Sequence, residues 1–117
     1  MRSLILALAV SGVVAAQQTV HDSKEPGVTL PQVVKEVRGQ YTQEAKDAHI
    51  EGTVVMTIVV QDNGKVGDVQ VSRSLDPTYG LDKQAVEAAK LWEFKPATKD
   101  GKPIAIRVDL EMKFILK

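Results

Sequence analysis

The last stretch of the sequence, "PIAIRVDLEMKFILK", constrains the fold more than any other. Ile104, Ile106, Val108, Leu110, Met112, Phe114 and Leu116 fall on one face of an extended chain. Ala105, Arg107, Asp109, Glu111, Lys113, Ile115 and Lys117 fall on the other. An alternation of period 2 sustained this long predicts a strand with one buried face. Burying each apolar side chain stabilises by about 1.5–3 kcal/mol, so the face contributes on the order of 10–20 kcal/mol. That matches or exceeds the net stability of a typical domain, roughly 5–15 kcal/mol. The strand therefore belongs to the core, and the rest of the chain must supply its sheet and its cover.

The partner strands lie in "GTVVMTIVVQDNGKVGDVQVSRS". Val54, Met56, Ile58 and Val60 alternate with Thr53, Val55, Thr57 and Val59, and β-branched residues dominate. Asp62-Asn63-Gly64 supplies a turn, because Asn and Gly tolerate the positive φ that tight hairpins require. In the return strand only one face, with Val69 and Val71, is apolar.

The cover lies in "LDKQAVEAAKLW". Leu81, Ala85, Ala88, Ala89 and Trp92 share one helical face, and Asp82 and Lys90 suit the helix dipole at their respective ends. Pro96 disfavours helix at the preceding residue, so the chain leaves the helix by Lys95. In "LWEFKPA" the aromatic pair Trp92 and Phe94 is then expected to plug the core at a helix–strand junction. Further upstream, the spacing of Val33, Val34 and Val37 predicts a helical turn or two. A second helix is predicted over about residues 42–48, with Thr42 as N-cap.

The N-terminus has the layout of an export signal: Arg2, an apolar run over residues 4–16, small residues Ala15 and Ala16, then polar Gln17. The run is shorter than the roughly 20 residues a spanning helix needs. Expected boundaries are a signal peptide over residues 1–16, a flexible N-terminal arm over 17–29 and a folded domain over 30–117. Cleavage gives an exported protein; retention of the segment gives a membrane-associated one.

The expected fold class is α+β: a three-stranded antiparallel sheet with two helices packed on one face, in the order α-β-β-α-β. A right-handed crossover through the second helix places the final strand beside the first hairpin strand, on an edge. A free edge carries unpaired N–H and C=O groups that a partner's extended segment can pair with. The candidate partner-binding residues are thus Ile104, Ala105, Ile106, Arg107, Val108, Asp109, Leu110, Glu111, Met112 and Lys113. The alternating charges Arg107, Asp109, Glu111 and Lys113 also guard an edge against aggregation, so protection and recognition both stand open here.

Other chemistries find little support. Fifteen basic residues balance fifteen acidic ones, without the basic excess of a nucleic-acid binder. No cysteine is present, so there is no disulfide, redox pair or thiolate metal site. His21 and His49 lie far apart, and no nucleophile motif or phosphate loop occurs. No catalytic, cofactor-binding or metal-binding residue, and no small-molecule substrate, is expected.

Several local patterns together resemble the C-terminal domain of TonB-type energy transducers. They are Tyr41 with Ala45, Ile50-Glu51-Gly52-Thr53-Val54, Asp62-Asn63-Gly64-Lys65-Val66, Leu81-Asp82, and Ala85 with Ala88. Trp92-Glu93-Phe94-Lys95-Pro96-Ala97, Gly101-Lys102-Pro103 and Phe114 complete the set. The resemblance implies a periplasmic domain of two helices on a three-stranded sheet. It also implies that a TonB-dependent outer-membrane receptor, or another envelope protein, pairs a short segment with the last strand during transport. The residues alone leave an alternative: a secreted structural domain that forms homodimers through the same edge, with no role in energy transduction.

Overall fold

The computed structural model describes residues 19–117, so the expected signal peptide lies outside the described residues. In chain order the elements are β1 (Val20–Asp22), β2 (Val28–Thr29), β3 (Gln32–Lys35), α1 (Gln43–Asp47), β4 (Gly52–Val60) and β5 (Val66–Arg73), followed by α2 (Leu81–Ala89), β6 (Glu93–Lys95), β7 (Ala97–Lys99) and β8 (Lys102–Phe114).

The sheet is organised around β4, whose alternate residues Val54, Met56, Ile58 and Val60 are fully buried. β5 returns antiparallel to it after the Asp62-Asn63-Gly64 turn. Gly64 sits at φ +86°, in the left-handed region that favours glycine. A Cβ there would also lie 2.0 Å from the Phe94 carbonyl oxygen, so only glycine lets the turn dock against β6. On its other side β4 pairs antiparallel with β8, from Gly52 opposite Phe114 to Val60 opposite Ile106. The order β5-β4-β8 is the expected one, with β5 and β8 parallel to each other across the central strand.

Helix α2 packs on β5 and β4. Leu81, Ala85, Ala88 and Ala89 are its buried residues, and the alanines permit close approach of helix to sheet. The buried carboxylate of Asp76 prepares its first turn by accepting the N–H groups of Thr78, Tyr79 and Leu81 at 3.0, 2.8 and 3.2 Å. Asp82 in turn accepts from the N–H groups of Leu75 and Asp76. In α1 the hydroxyl oxygen of Thr42 accepts from the Ala45 N–H, as an N-cap does, and its O–H donates to the Tyr79 carbonyl at 2.7 Å.

Two expectations need correction. The α+β class is right, but the described residues carry eight strands in two sheets, not one three-stranded sheet. The trio β5-β4-β8 sits in a larger sheet extended by β7, β2 and β1, while β3 and β6 form a separate two-stranded sheet. The region around Val33 is strand, not helix: Gln32–Lys35 pairs with Glu93–Lys95, leaving Val33 and Val34 exposed. Within the segment expected as an arm, β1 pairs with β8 and β2 pairs with β7 over three and two residues. Those short ladders carry no hydrophobic periodicity, which is why the sequence pattern hides them.

Candidate partner-binding edge

The two long edges of β8 are occupied differently. Ile106 and Arg107 pair with Val60 and Val59 of β4, and at the same time with His21 and Asp22 of β1. β1 therefore lies on the edge opposite β4. It covers that edge only from Ala105 to Arg107. From residue 108 to residue 114, β8 has β4 as its single strand partner among the described residues.

The ten candidate residues thus divide. Ile104 pairs with Ala97 of β7. Ala105, Ile106 and Arg107 face β1, so the chain's own backbone occupies the edge there. Val108, Asp109, Leu110, Glu111, Met112 and Lys113 lie along the open part. Within it the alternation is preserved: Val108 and Leu110 are half-buried and Met112 is buried, while Asp109, Glu111 and Lys113 are exposed. Asp109 is partly engaged within its own sheet, accepting from the Thr57 hydroxyl at 3.2 Å.

Beside the open edge runs a groove of about 580 Å³. Residues 36–39 and Tyr41 form one wall, and residues 111–115 with Lys117 form the other. Trp92, Met112 and Phe114 supply buried apolar surface, and the charged lining is mixed: Glu36 and Glu111 against Arg38, Lys113 and Lys117.

Three contacts hold the first wall in place. The indole N–H of Trp92 donates to the Val37 carbonyl at 2.7 Å. The Gly39 backbone lies so close to β8 that a Cβ there would meet Phe114 Cζ at 2.6 Å and Met112 Sδ at 3.0 Å. The Tyr41 ring meets Phe114 edge-on, with centroids 5.5 Å apart and planes at 87°. Its hydroxyl donates to the Ile50 carbonyl at 2.5 Å. Burial, and then the charge of Glu51, push the Tyr41 phenol above its ordinary value, so it remains a donor at neutral pH.

This places the aromatic pair of "LWEFKPA". Trp92 is buried, stacks on Phe94 at a centroid distance of 6.1 Å, and is both core plug and tether for the groove wall. Phe94 is half-buried and bonds the hairpin turn through its N–H to the Gly64 carbonyl. The segment 36–41 is absent from the candidate residues read from sequence. Its signals were Gly39 two positions before an aromatic and a buried indole N–H that needs an acceptor. Among the described residues no group of three or more His, Asp or Glu side chains is placed to hold a metal ion, and no helix is long and apolar enough to cross a membrane.

A family model described as "Gram-negative bacterial TonB protein C-terminal" matches residues 37–116. That span takes in the groove wall from Val37 onward and β8, and leaves out β1, β2 and β3. Protein TonB of Vibrio cholerae is 35% identical over 85 residues, covering 73% of this chain and 34% of the relative. Protein TonB of Xanthomonas campestris is 34% identical over 77 residues, covering 66% of this chain and 34% of the relative. The chain thus spans about a third of the length of these curated relatives. The solution NMR structure of the Pseudomonas aeruginosa TonB CTD has the same fold, with a TM-score of 0.61 at 22% identity, over 83% of this chain and 94% of that one.

Proposed function

The chain belongs to the TonB C-terminal family, and from that premise we propose that it captures an extended segment of a partner protein along the open edge of β8. It is a periplasmic, non-catalytic domain of that family. The observation that carries the proposal is the seven-residue stretch 108–114, which among the described residues has one strand partner and a groove beside it. Strand addition draws affinity from backbone hydrogen bonds and selectivity from alternate side chains. Here one set of partner side chains would enter the groove over Met112 and Phe114. The other would lie beside Asp109, Glu111 and Lys113, where opposite charges favour pairing by roughly 0.2–1 kcal/mol and like charges oppose it. The partner that fits is a periplasm-facing segment of a TonB-dependent outer-membrane receptor, or of another envelope protein, and the binding would serve transport across the outer membrane.

The test is an NMR titration of the full chain with an extended peptide from the periplasmic end of such a receptor. Amide shifts are expected at residues 108–113 and along 36–41. Shifts confined to β5 or α2 would refute the proposal. A peptide-independent dimer paired through β8 would replace it with the homodimer reading.

A further inference from the structure

The edge that faces a partner is already used at one end. β1 runs parallel to β8, with Val20, His21 and Asp22 opposite Ala105, Ile106 and Arg107. Had β1 continued straight, Ser23 would lie opposite Val108 and the chain would cover the edge itself. Instead it turns away immediately after Asp22. The Glu25 N–H donates to the Asp22 carbonyl at 3.1 Å, and the Lys24 N–H donates to the Asp22 carboxylate at 2.8 Å. The Glu25 carboxylate closes the turn. One oxygen accepts from the Asp22 N–H at 3.0 Å, and the other lies 2.8 Å from Lys99 Nζ of β7 and 3.0 Å from His21 Nδ1. Glu25 thus joins the turn, β1 and β7 in one catch.

The hold is slight. The ladder is three residues long, Asp22, Ser23 and Lys24 are exposed, and Val20, His21 and Glu25 are only half-buried. A segment with so few buried contacts belongs to the low-stability end of a fold, able to open without the rest. It also lies outside residues 37–116, the span matched by the family model.

We infer that β1 is a built-in stop strand: it shares the edge of β8 with the partner, ends the partner's pairing at Val108, and is held in that position by the Glu25–Lys99 catch. The inference rests on the reading that partners add to β8. With the arm docked, a partner finds residues 108–114. With it released, the edge extends to Ala105, and the arm and the partner compete for Ala105, Ile106 and Arg107. When only a fraction of molecules has the longer edge free, apparent affinity falls in proportion to that fraction.

The experiment compares three full-length chains by NMR: the native sequence, Glu25→Ala, and a locked form carrying Asp22→Cys with Arg107→Cys. Those two positions are register partners, and the absence of native cysteine makes their disulfide unambiguous. Without peptide, Glu25→Ala should accelerate exchange of those amides among residues 105–107 that face β1 by roughly tenfold or more and leave the β4 amides unchanged. With the receptor-derived peptide, Glu25→Ala should bind about three- to tenfold tighter, with shifts extending to Ala105. In the locked form the shifts should stop at Val108. Unchanged exchange at 105–107, or exchange rising across the whole sheet, overturns the inference. So does equal binding with the same footprint in all three chains, which leaves the proposed function standing. If none of the three binds the peptide, the proposed function falls and the competition falls with it.

Discussion

Trp92 and Val37 are joined across 55 positions of sequence by a hydrogen bond of 2.7 Å, from the indole N–H to the backbone carbonyl. One side chain therefore fills the core and fixes the wall of the groove beside β8. The two roles separate by substitution. Trp92→Ala should cost about 3–5 kcal/mol, as large-to-small core changes do. Trp92→Phe keeps most of the volume and loses the donor, so it should cost about 1–3 kcal/mol, the range for leaving a buried carbonyl unpaired. Denaturant melts measure both. A Trp92→Ala loss under about 1 kcal/mol would contradict a core position.

Gly39 tests the same wall from the other side. Its backbone needs no special conformation; what it needs is space, since a Cβ would meet Phe114 Cζ at 2.6 Å. Gly39→Ala should therefore push the segment 36–41 away from β8 at a cost of about 1–3 kcal/mol, typical of overpacking. The Phe114 and Met112 side-chain resonances should move with it. A fully stable variant with unmoved resonances would show that the wall yields freely.

Much of this architecture was legible because burial imposes a period. Ile104 through Phe114 and Val54 through Val60 alternate because one face of each strand meets the core, and the alanines of α2 recur because a helix must approach that sheet. The open edge was legible only in part. Nothing in "VHD" announces that it will pair with Ala105, Ile106 and Arg107, more than 80 positions away, because backbone ladders between short, half-exposed strands need no particular side chains. Val33, Val34 and Val37 misled for a related reason. Their spacing fits a helical stripe, yet Val34 is 69% exposed and the strand is held by its pairing with β6.

The Glu25 catch has a defined acid limit. The Lys99 ammonium, then His21 and the Asp22 N–H, hold the Glu25 carboxyl at about 2, against an ordinary 4.5. The same pairing, with a smaller contribution from the charge of Asp100, raises the Lys99 ammonium. A carboxyl depressed in the folded state contributes stability that is fully present above its unfolded value and lost as pH falls through its folded one. Docking of β1 should therefore be unchanged from pH 7 to about 5 and weaken only between about pH 4.5 and 2. Amide shifts of residues 105–107 followed against pH, with β4 amides as the control for global unfolding, measure this. A midpoint at or above 4.5 would show that Glu25 does not hold the arm.

Backbone direction supplies the last prediction. Along a strand, successive N–H groups point to opposite edges, so of Asp109 and Leu110 one donates toward β4 and the other toward the open side. Proline removes the donor and fixes φ, and within sheets it is tolerated only where the N–H faces solvent. Asp109→Pro and Leu110→Pro should therefore behave differently. The variant at the outward donor should keep its circular dichroism spectrum and lose most of its peptide binding. The variant at the inward donor should lose the β4 ladder and unfold at markedly lower denaturant. By contrast, Glu111→Ala leaves the backbone intact and should change partner preference by no more than about 1 kcal/mol, the scale of a cross-strand charge pair. If the folded proline variant binds the receptor-derived peptide as well as the native chain does, backbone pairing on this edge is not the source of affinity. The groove walls would then have to supply it through side chains alone.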